Sequence, residues 1–251
     1  MKIILSPAKK MCVDTDAVAA ATTPVYLKQA EEILTWLRQQ SAEALQALWK
    51  CNDKIAEQNL QRIASMDLNS GLTPAVLAYD GIAFKYMAPS VFEYGQFDYV
   101  QEHLRILSAF YGVLRPMDGV TPYRLEMQAK ASIGRHKDLY AFWGKKIYDA
   151  VRDDSGVIIN LASKEYSKCV ERYLQPDDCY ITCSFVEQAG GKLVTKGTYA
   201  KMARGEMVRY MAEQNVETPE EIQDFNHLGY VFREDLSNET EYVFERQLHD
   251  K

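Results

Sequence analysis

The sequence predicts a mixed α/β (α+β) fold: one domain over residues 1–251, with helices surrounding a mixed β-sheet. Three observations carry this. Short apolar or β-branched runs alternate with helical stripes to the end of the chain. No Pro/Gly/Ser-rich linker divides it. With 251 residues, 47% apolar and 25% charged, the chain can bury a core without metals or disulfides, which excludes disordered, collagen-like and disulfide-scaffold classes.

Residues 2–5 form a β-branched run stopped by Ser6-Pro7, an opening strand that delivers the next residues to its carboxyl edge. Residues 26–40, 41–50 and 52–65 show helical spacing, with Ser41 and Asn52 as N-caps of the second and third. Residues 76–79 read as a buried strand ending at Asp80-Gly81. Phe97, Val100, Leu104, Leu107 and Phe110 then recur at helical spacing, with Gly112 as the expected stop.

Residues 139–151 read as a helix and 157–161 as a strand, and Ser163 is placed to cap a helix reaching 174. Cys179, Ile181, Cys183 and Phe185 alternate with more polar neighbours, and Gly190-Gly191 turns this strand back into 193–195. Residues 198–214 form a basic helix. Thr218-Pro219-Glu220-Glu221 is a capping box, and 230–232 and 242–244 are closing strands. The chain contains no internal repeat.

The net charge of −6 is unevenly spread. Residues 1–11 hold three lysines and no acid, 100–152 nine basic against five acidic residues, and 192–209 five against one. The segments between and after them are acidic. Converging basic tracts would make a positive cleft on an acidic body, the footprint of a phosphate-bearing ligand; dispersed, they are ordinary surface lysine.

No apolar run approaches the twenty residues of a membrane span, and no signal-like apolar region follows Met1, so a cytosolic protein without a membrane partner is expected. The five cysteines are odd in number and are read as thiols, with Cys179 and Cys183 as core packing. Four extended residues hold those two roughly 13 Å apart, too far to share an ion. His103, His136, His227 and His249 are isolated, so neither a metal nor a cofactor is expected. Dinucleotide and P-loop glycine motifs are absent from the sequence.

Ser6-Pro7-Ala8-Lys9 contains S-x-x-K, in which a lysine can deprotonate a serine nucleophile, although a structural or phosphate-binding turn explains the same residues. The densest polar cluster runs from Tyr111 to Met127. There Arg115 and Arg124 offer forked donors for phosphate or carboxylate, and Asp118 or Glu126 can orient them or move protons. The competing reading is a buried Arg–carboxylate brace. A helix over 104–111, the tight Tyr111-Gly112-Val113 turn and a following segment partly match a helix-hairpin-helix, which binds backbone phosphate without base contacts. In Asn160-Leu161-Ala162-Ser163-Lys164-Glu165-Tyr166, Asn160, Ser163 and Glu165 are placed to face a cleft beyond the sheet edge.

Lys2-Ile3-Ile4-Leu5-Ser6-Pro7-Ala8-Lys9, Tyr79-Asp80-Gly81, Tyr111-Gly112-Val113-Leu114-Arg115-Pro116, Pro122-Tyr123-Arg124-Leu125-Glu126-Met127, the 160–166 stretch and Ala203-Arg204-Gly205 together resemble the YaaA family of bacterial peroxide-stress proteins. The resemblance spans nearly the whole chain. It implies protection under hydrogen peroxide, lowered free iron, and DNA binding through a positive cleft and a helix-hairpin-helix-like element.

Two functions follow as expectations. In the first, ahead of the other, Lys9, Lys10, Arg115, Arg124, Lys130, Lys145, Lys146, Lys201 and Arg204 contact DNA phosphates without reading bases, and iron-driven damage is limited there. In the second, the same cleft is an enzyme site for a nucleotide or nucleobase-like small molecule, with Ser6, Lys9, Tyr79, Asp80, Tyr123, Arg124, Glu126 and Glu165 around it. An open groove about 20 Å wide would favour the first, an enclosed pocket of about 300–1,000 Å³ the second.

Overall fold

The structure, a computed structural model, describes residues 1–14 and 18–247. In chain order the elements are β1 (Lys2–Leu5), α1 (Leu27–Arg38), α2 (Ala42–Trp49), α3 (Asp53–Ser65), β2 (Thr73–Pro74), α4 (Ala75–Ala78), α5 (Ile82–Met87), α6 (Tyr94–His103), β3 (Leu104–Ser108), β4 (Gly112–Leu114) and β5 (Gly119–Val120). The second half adds α7 (Leu139–Trp143), α8 (Lys146–Val151), β6 (Val157–Leu161), α9 (Lys164–Glu171), β7 (Cys179–Ala189), β8 (Lys192–Val194), α10 (Gly197–Gln214), β9 (Tyr230–Phe232) and β10 (Glu241–Arg246).

Eight strands make one mixed sheet in the order β4-β3-β1-β6-β7-β10-β9, with β8 on β7. The centre, β3 through β10, is parallel; β4, β8 and β9 pair antiparallel. β1 is buried along its whole length because it lies in the middle, covered on both faces, as its unbroken Ile-Ile-Leu run requires. From β1 the chain leaves toward β3 on one side, whereas from β6 it leaves toward β7 on the other. The carboxyl ends of these neighbours therefore diverge and open a crevice.

Most expected elements appear. Ser41 and Asn52 cap their helices by accepting the N–H groups of Ala44 at 3.2 Å and Ile55 at 3.0 Å. Glu221 accepts the N–H groups of Glu217 and Thr218, although the segment it heads is a 3-10 turn. The helix expected over 139–151 breaks at Gly144 into α7 and α8.

Three expectations are corrected. Residues 75–78 are the short helix α4 and not a strand, since a four-residue apolar run has no period with which to choose. The helix expected to run through Phe110 ends at His103, and Leu104–Ser108 is β3, paired with β1. The apolar positions 104, 106 and 107 suit either period, and ladder bonds to a central strand decide for the sheet. Finally, Gly112 starts β4 instead of ending a helix, so the 104–114 segment is a β-hairpin and the helix-hairpin-helix expected there does not form. At Gly112 φ is +77°, and a Cβ would stand 2.6 Å from the Trp143 ring. Cys183 is buried as expected but Cys179 is exposed; His249 lies outside the described residues. Among the described residues, no helix is long and apolar enough to cross a membrane.

Candidate functional site

A cavity of about 380 Å³ fills the crevice beyond β1 and β6. Its floor is Leu5 to Lys10, which follow β1, with Leu161 and Ser163 at the end of β6. One wall is Asp80 to Phe84 at the start of α5; the others are Tyr123 to Glu126, Glu165 and Tyr166 on α9, and Lys201 and Arg204 on α10.

Two glycines allow the walls to meet. A Cβ on Gly81 would lie 2.5 Å from that of Ala8, so only glycine lets the loop after β1 lie flat against the start of α5. The contact is fixed by the Asp80 N–H donating to the Lys10 carbonyl at 2.9 Å. A Cβ on Gly205 would lie 1.8 Å from the Ala83 carbonyl oxygen, so α10 packs backbone-to-backbone on α5 and carries Arg204 to the cavity.

Ser6 does not stand free as a nucleophile. Its hydroxyl accepts the Ser163 N–H at 2.8 Å and donates to Ser163 Oγ at 3.1 Å, tying the two strand ends together. Ser163 heads α9 as expected, yet its side chain makes no cap bond. Lys9 pairs with Glu126 at 2.9 Å. Asn160 does not face the cavity: its Oδ1 accepts the Ala162 N–H at 2.8 Å and its Nδ2 donates to Thr182 at 3.2 Å, shaping the turn.

The cations sort into paired and unpaired. Lys10 is paired with Asp80, and Lys85 reaches the other carboxylate oxygen at 3.3 Å; hydrogen bonding by Lys10, then Lys85, holds the Asp80 carboxyl below its usual range. Arg124 donates from Nη2 to Glu126 and to the Trp49 carbonyl, both at 3.4 Å, and its Nε is buried without a partner among the described residues. Arg204 has neither a hydrogen bond nor an ion pair among the described residues, and its Nε is sealed from solvent. Burial pulls its pKa down; its titratable neighbour, the Cys183 thiol, is pushed by burial up to about 12 and supplies no counter-charge at neutral pH. Lys201 likewise has no carboxylate within ion-pair distance among the described residues.

Glu165 accepts the Gln128 N–H at 3.2 Å, and burial, followed by the charge of Glu126, raises its pKa. Below the cavity, the Tyr79 hydroxyl lies 2.9 Å from that of Tyr123, which lies 2.7 Å from Ser108 Oγ. Nothing local marked Ser108, because it falls in the stretch read as helix.

The remaining candidates lie off the cavity. Arg115 sits 3.5 Å from Asp118, whose carboxylate is buried against Thr22 and the Arg115 N–H, the brace weighed against a binding role. Lys145 pairs with Asp149 one turn on, and Lys146 and Lys130 are exposed outside the lining. Lys2 is buried at the opposite end of β1 against Glu102 and Asp153. Among the described residues no cluster of three His, Cys, Asp or Glu is arranged to hold a metal ion.

Comparison with known proteins places this geometry in a family. A UPF0246 protein of Agathobacter rectalis is 67% identical over 248 residues, 99% of this chain and 100% of that one. Those of Lachnoclostridium phytofermentans and Pediococcus pentosaceus are 53% and 52% identical, covering 97% and 99% of this chain and 96% and 100% of theirs. The model of the peroxide stress protein YaaA family matches residues 1–236. The chain belongs to the peroxide stress protein YaaA family.

Proposed function

We propose that the protein serves the peroxide response of its family by binding a small anionic molecule, nucleotide or nucleobase-like, in the crevice beyond β1 and β6. The carrying observation is Arg204, a largely buried guanidinium with no acceptor and no counter-ion among the described residues, lining the cavity. A buried charge left unpaired is costly, and an anionic ligand removes that cost. The cavity volume of about 380 Å³ falls in the range of small-molecule sites and is far too small for a duplex. Lys201 at the wall adds to the attraction, and Arg124 contributes its unpartnered Nε.

The test is thermal stabilisation by a panel of nucleoside monophosphates and free nucleobases. Wild type and Arg115→Gln gain stability with at least one of them, and Arg204→Gln does not. No stabilisation by any of them counts against the reading.

A second reading, non-specific DNA binding that limits iron-driven damage, is favoured by the exposed ammonium groups of Lys9 and Lys10 and by Lys201 on the same rim. It predicts duplex affinity that falls by roughly 0.9 log units per log unit of salt for each phosphate neutralised. Loss of that slope in a Lys9, Lys10 and Lys201 triple alanine variant, with nucleotide binding absent, would make it the better account.

A further inference from the structure

The hydroxyl chain behind the cavity has a direction that hydrogen-bond counting supplies. Ser108 Oγ accepts the N–H groups of Phe110 at 3.2 Å and Tyr111 at 2.9 Å. Both its lone pairs are thereby used, so its own O–H donates, and the acceptor is the Tyr123 oxygen at 2.7 Å. Tyr79 is 2% exposed, lies outside the cavity lining, and its hydroxyl stands 2.9 Å from that of Tyr123; the nearby Ser108 oxygen, with both lone pairs taken by backbone N–H groups, cannot accept its proton. A buried phenol proton without an acceptor is costly, so Tyr79 also donates to Tyr123.

The Tyr123 oxygen thus receives two hydrogen bonds, and its own proton is left over. Tyr123, unlike Tyr79 and Ser108, lines the cavity. The opposite polarity would satisfy Tyr123 and strand the Tyr79 proton in the core. The Tyr123 ring is held by Phe110, stacked at 5.0 Å, and by Tyr111 edge-on at 5.7 Å, so the hydroxyl has little freedom to turn elsewhere.

We propose, on the cavity reading above, that Tyr123 is a ligand-facing hydrogen-bond donor and that it recognises a negatively charged oxygen conjugated to a planar ring, an enolate or ring oxide. Two bonds entering a hydroxyl polarise it and strengthen the one it gives. A donor fixed before the ligand arrives favours the charged oxygen over the neutral one, because no reorganisation is needed. Burial pushes Tyr123 up to about 12, against the pull of the Ser108 and Tyr79 hydrogen bonds, so it keeps its proton at neutral pH. Arg204 then takes a second anionic group of the same ligand.

The probe is 4-hydroxy-3-nitrobenzoate, which carries a carboxylate for Arg204 and a phenol whose ionisation changes its absorbance, with 3-nitrobenzoate as its hydroxyl-free control. Wild type binds the hydroxylated probe as the phenolate, at a pH where the free probe is still partly phenol. Tyr123→Phe weakens its binding roughly 10- to 100-fold and restores the free ionisation, the loss expected for a hydrogen bond to a charged group. Tyr79→Phe, which keeps the Tyr123 proton, gives a smaller loss of the same kind. Binding of 3-nitrobenzoate is unchanged in both variants, which also shows that they are folded. Equal binding of the hydroxylated probe by wild type and a folded Tyr123→Phe, with 3-nitrobenzoate still bound, overturns the assignment and leaves the cavity reading standing. Failure of wild type to bind either probe counts against both.

Discussion

Ser6 and Ser163, 157 residues apart, share two hydrogen bonds: Ser163 N–H donates to the Ser6 hydroxyl, which donates in turn to Ser163 Oγ. The pair closes the crevice between β1 and β6 at its base. Ser6→Ala removes an acceptor and a donor at a half-buried site. It should cost about 1 kcal/mol, or about 2–4 °C in Tm for a domain of this size, and leave peroxide survival largely intact. Complete loss of protection by a folded Ser6→Ala protein would instead identify a nucleophile.

Gly205 meets the Ala83 carbonyl oxygen so closely that an added Cβ would stand 1.8 Å away. The atoms it would meet are the Ala83 backbone, so relief requires α10 to move off α5. Gly205→Ala should therefore destabilise by about 1–3 kcal/mol or more in denaturant titration, and Arg204, its neighbour in sequence, should lose its place. Gly197→Ala, with open space around its Cβ, is the control and should be near neutral or mildly stabilising.

Glu165 is the group through which cavity binding should depend on pH. Its pKa is raised by burial and then by Glu126, so its charged form is disfavoured, and protonation begins at higher pH than for an exposed glutamate. Falling pH removes a negative charge from the wall and should tighten anion binding until Glu165 is fully protonated. Glu165→Gln should bind a nucleoside monophosphate more tightly than wild type at pH 7 and flatten that dependence, read by calorimetry from pH 4 to 8 on the order of one pH unit per step.

At the other end of β1, Asp153 reaches the amino group of Met1 at 3.5 Å and Lys2 at 3.4 Å. Burial would raise its pKa, but hydrogen bonds from Ser155 and the two positive charges outweigh burial and take it from 3.8 to about 2. A depressed folded-state pKa gives stability that is present above the unfolded value and is lost as pH falls through the folded one. Asp153→Asn should cost about 1 kcal/mol at neutral pH after solvent screening. The difference from wild type should shrink between pH 3.8 and about 2, followed by urea melts.

The sequence by itself determined the class of fold, the central β1 strand, the capped helices after Ser41 and Asn52, and the family. These rest on local signals: β-branched runs, cap residues and motifs that keep their order along the chain. It also drew Ser6, Lys9, Asp80, Tyr123, Arg124, Glu126, Glu165 and Arg204 into two candidate sets, and all eight line one cavity. Tertiary structure alone decided which of those residues are paired and which face the cavity uncompensated. Whether Leu104–Ser108 is strand or helix depends on β1 being available to pair with it, a contact a hundred residues away. Whether a lysine or arginine is free depends on which carboxylate the fold sets beside it. Counting by segment made Arg115, Lys145 and Arg204 equivalent, yet Arg115 leans on Asp118, Lys145 on Asp149, and Arg204 on no carboxylate among the described residues. Charge composition along a chain is a sum, whereas a binding site is set by the charges that packing leaves uncompensated.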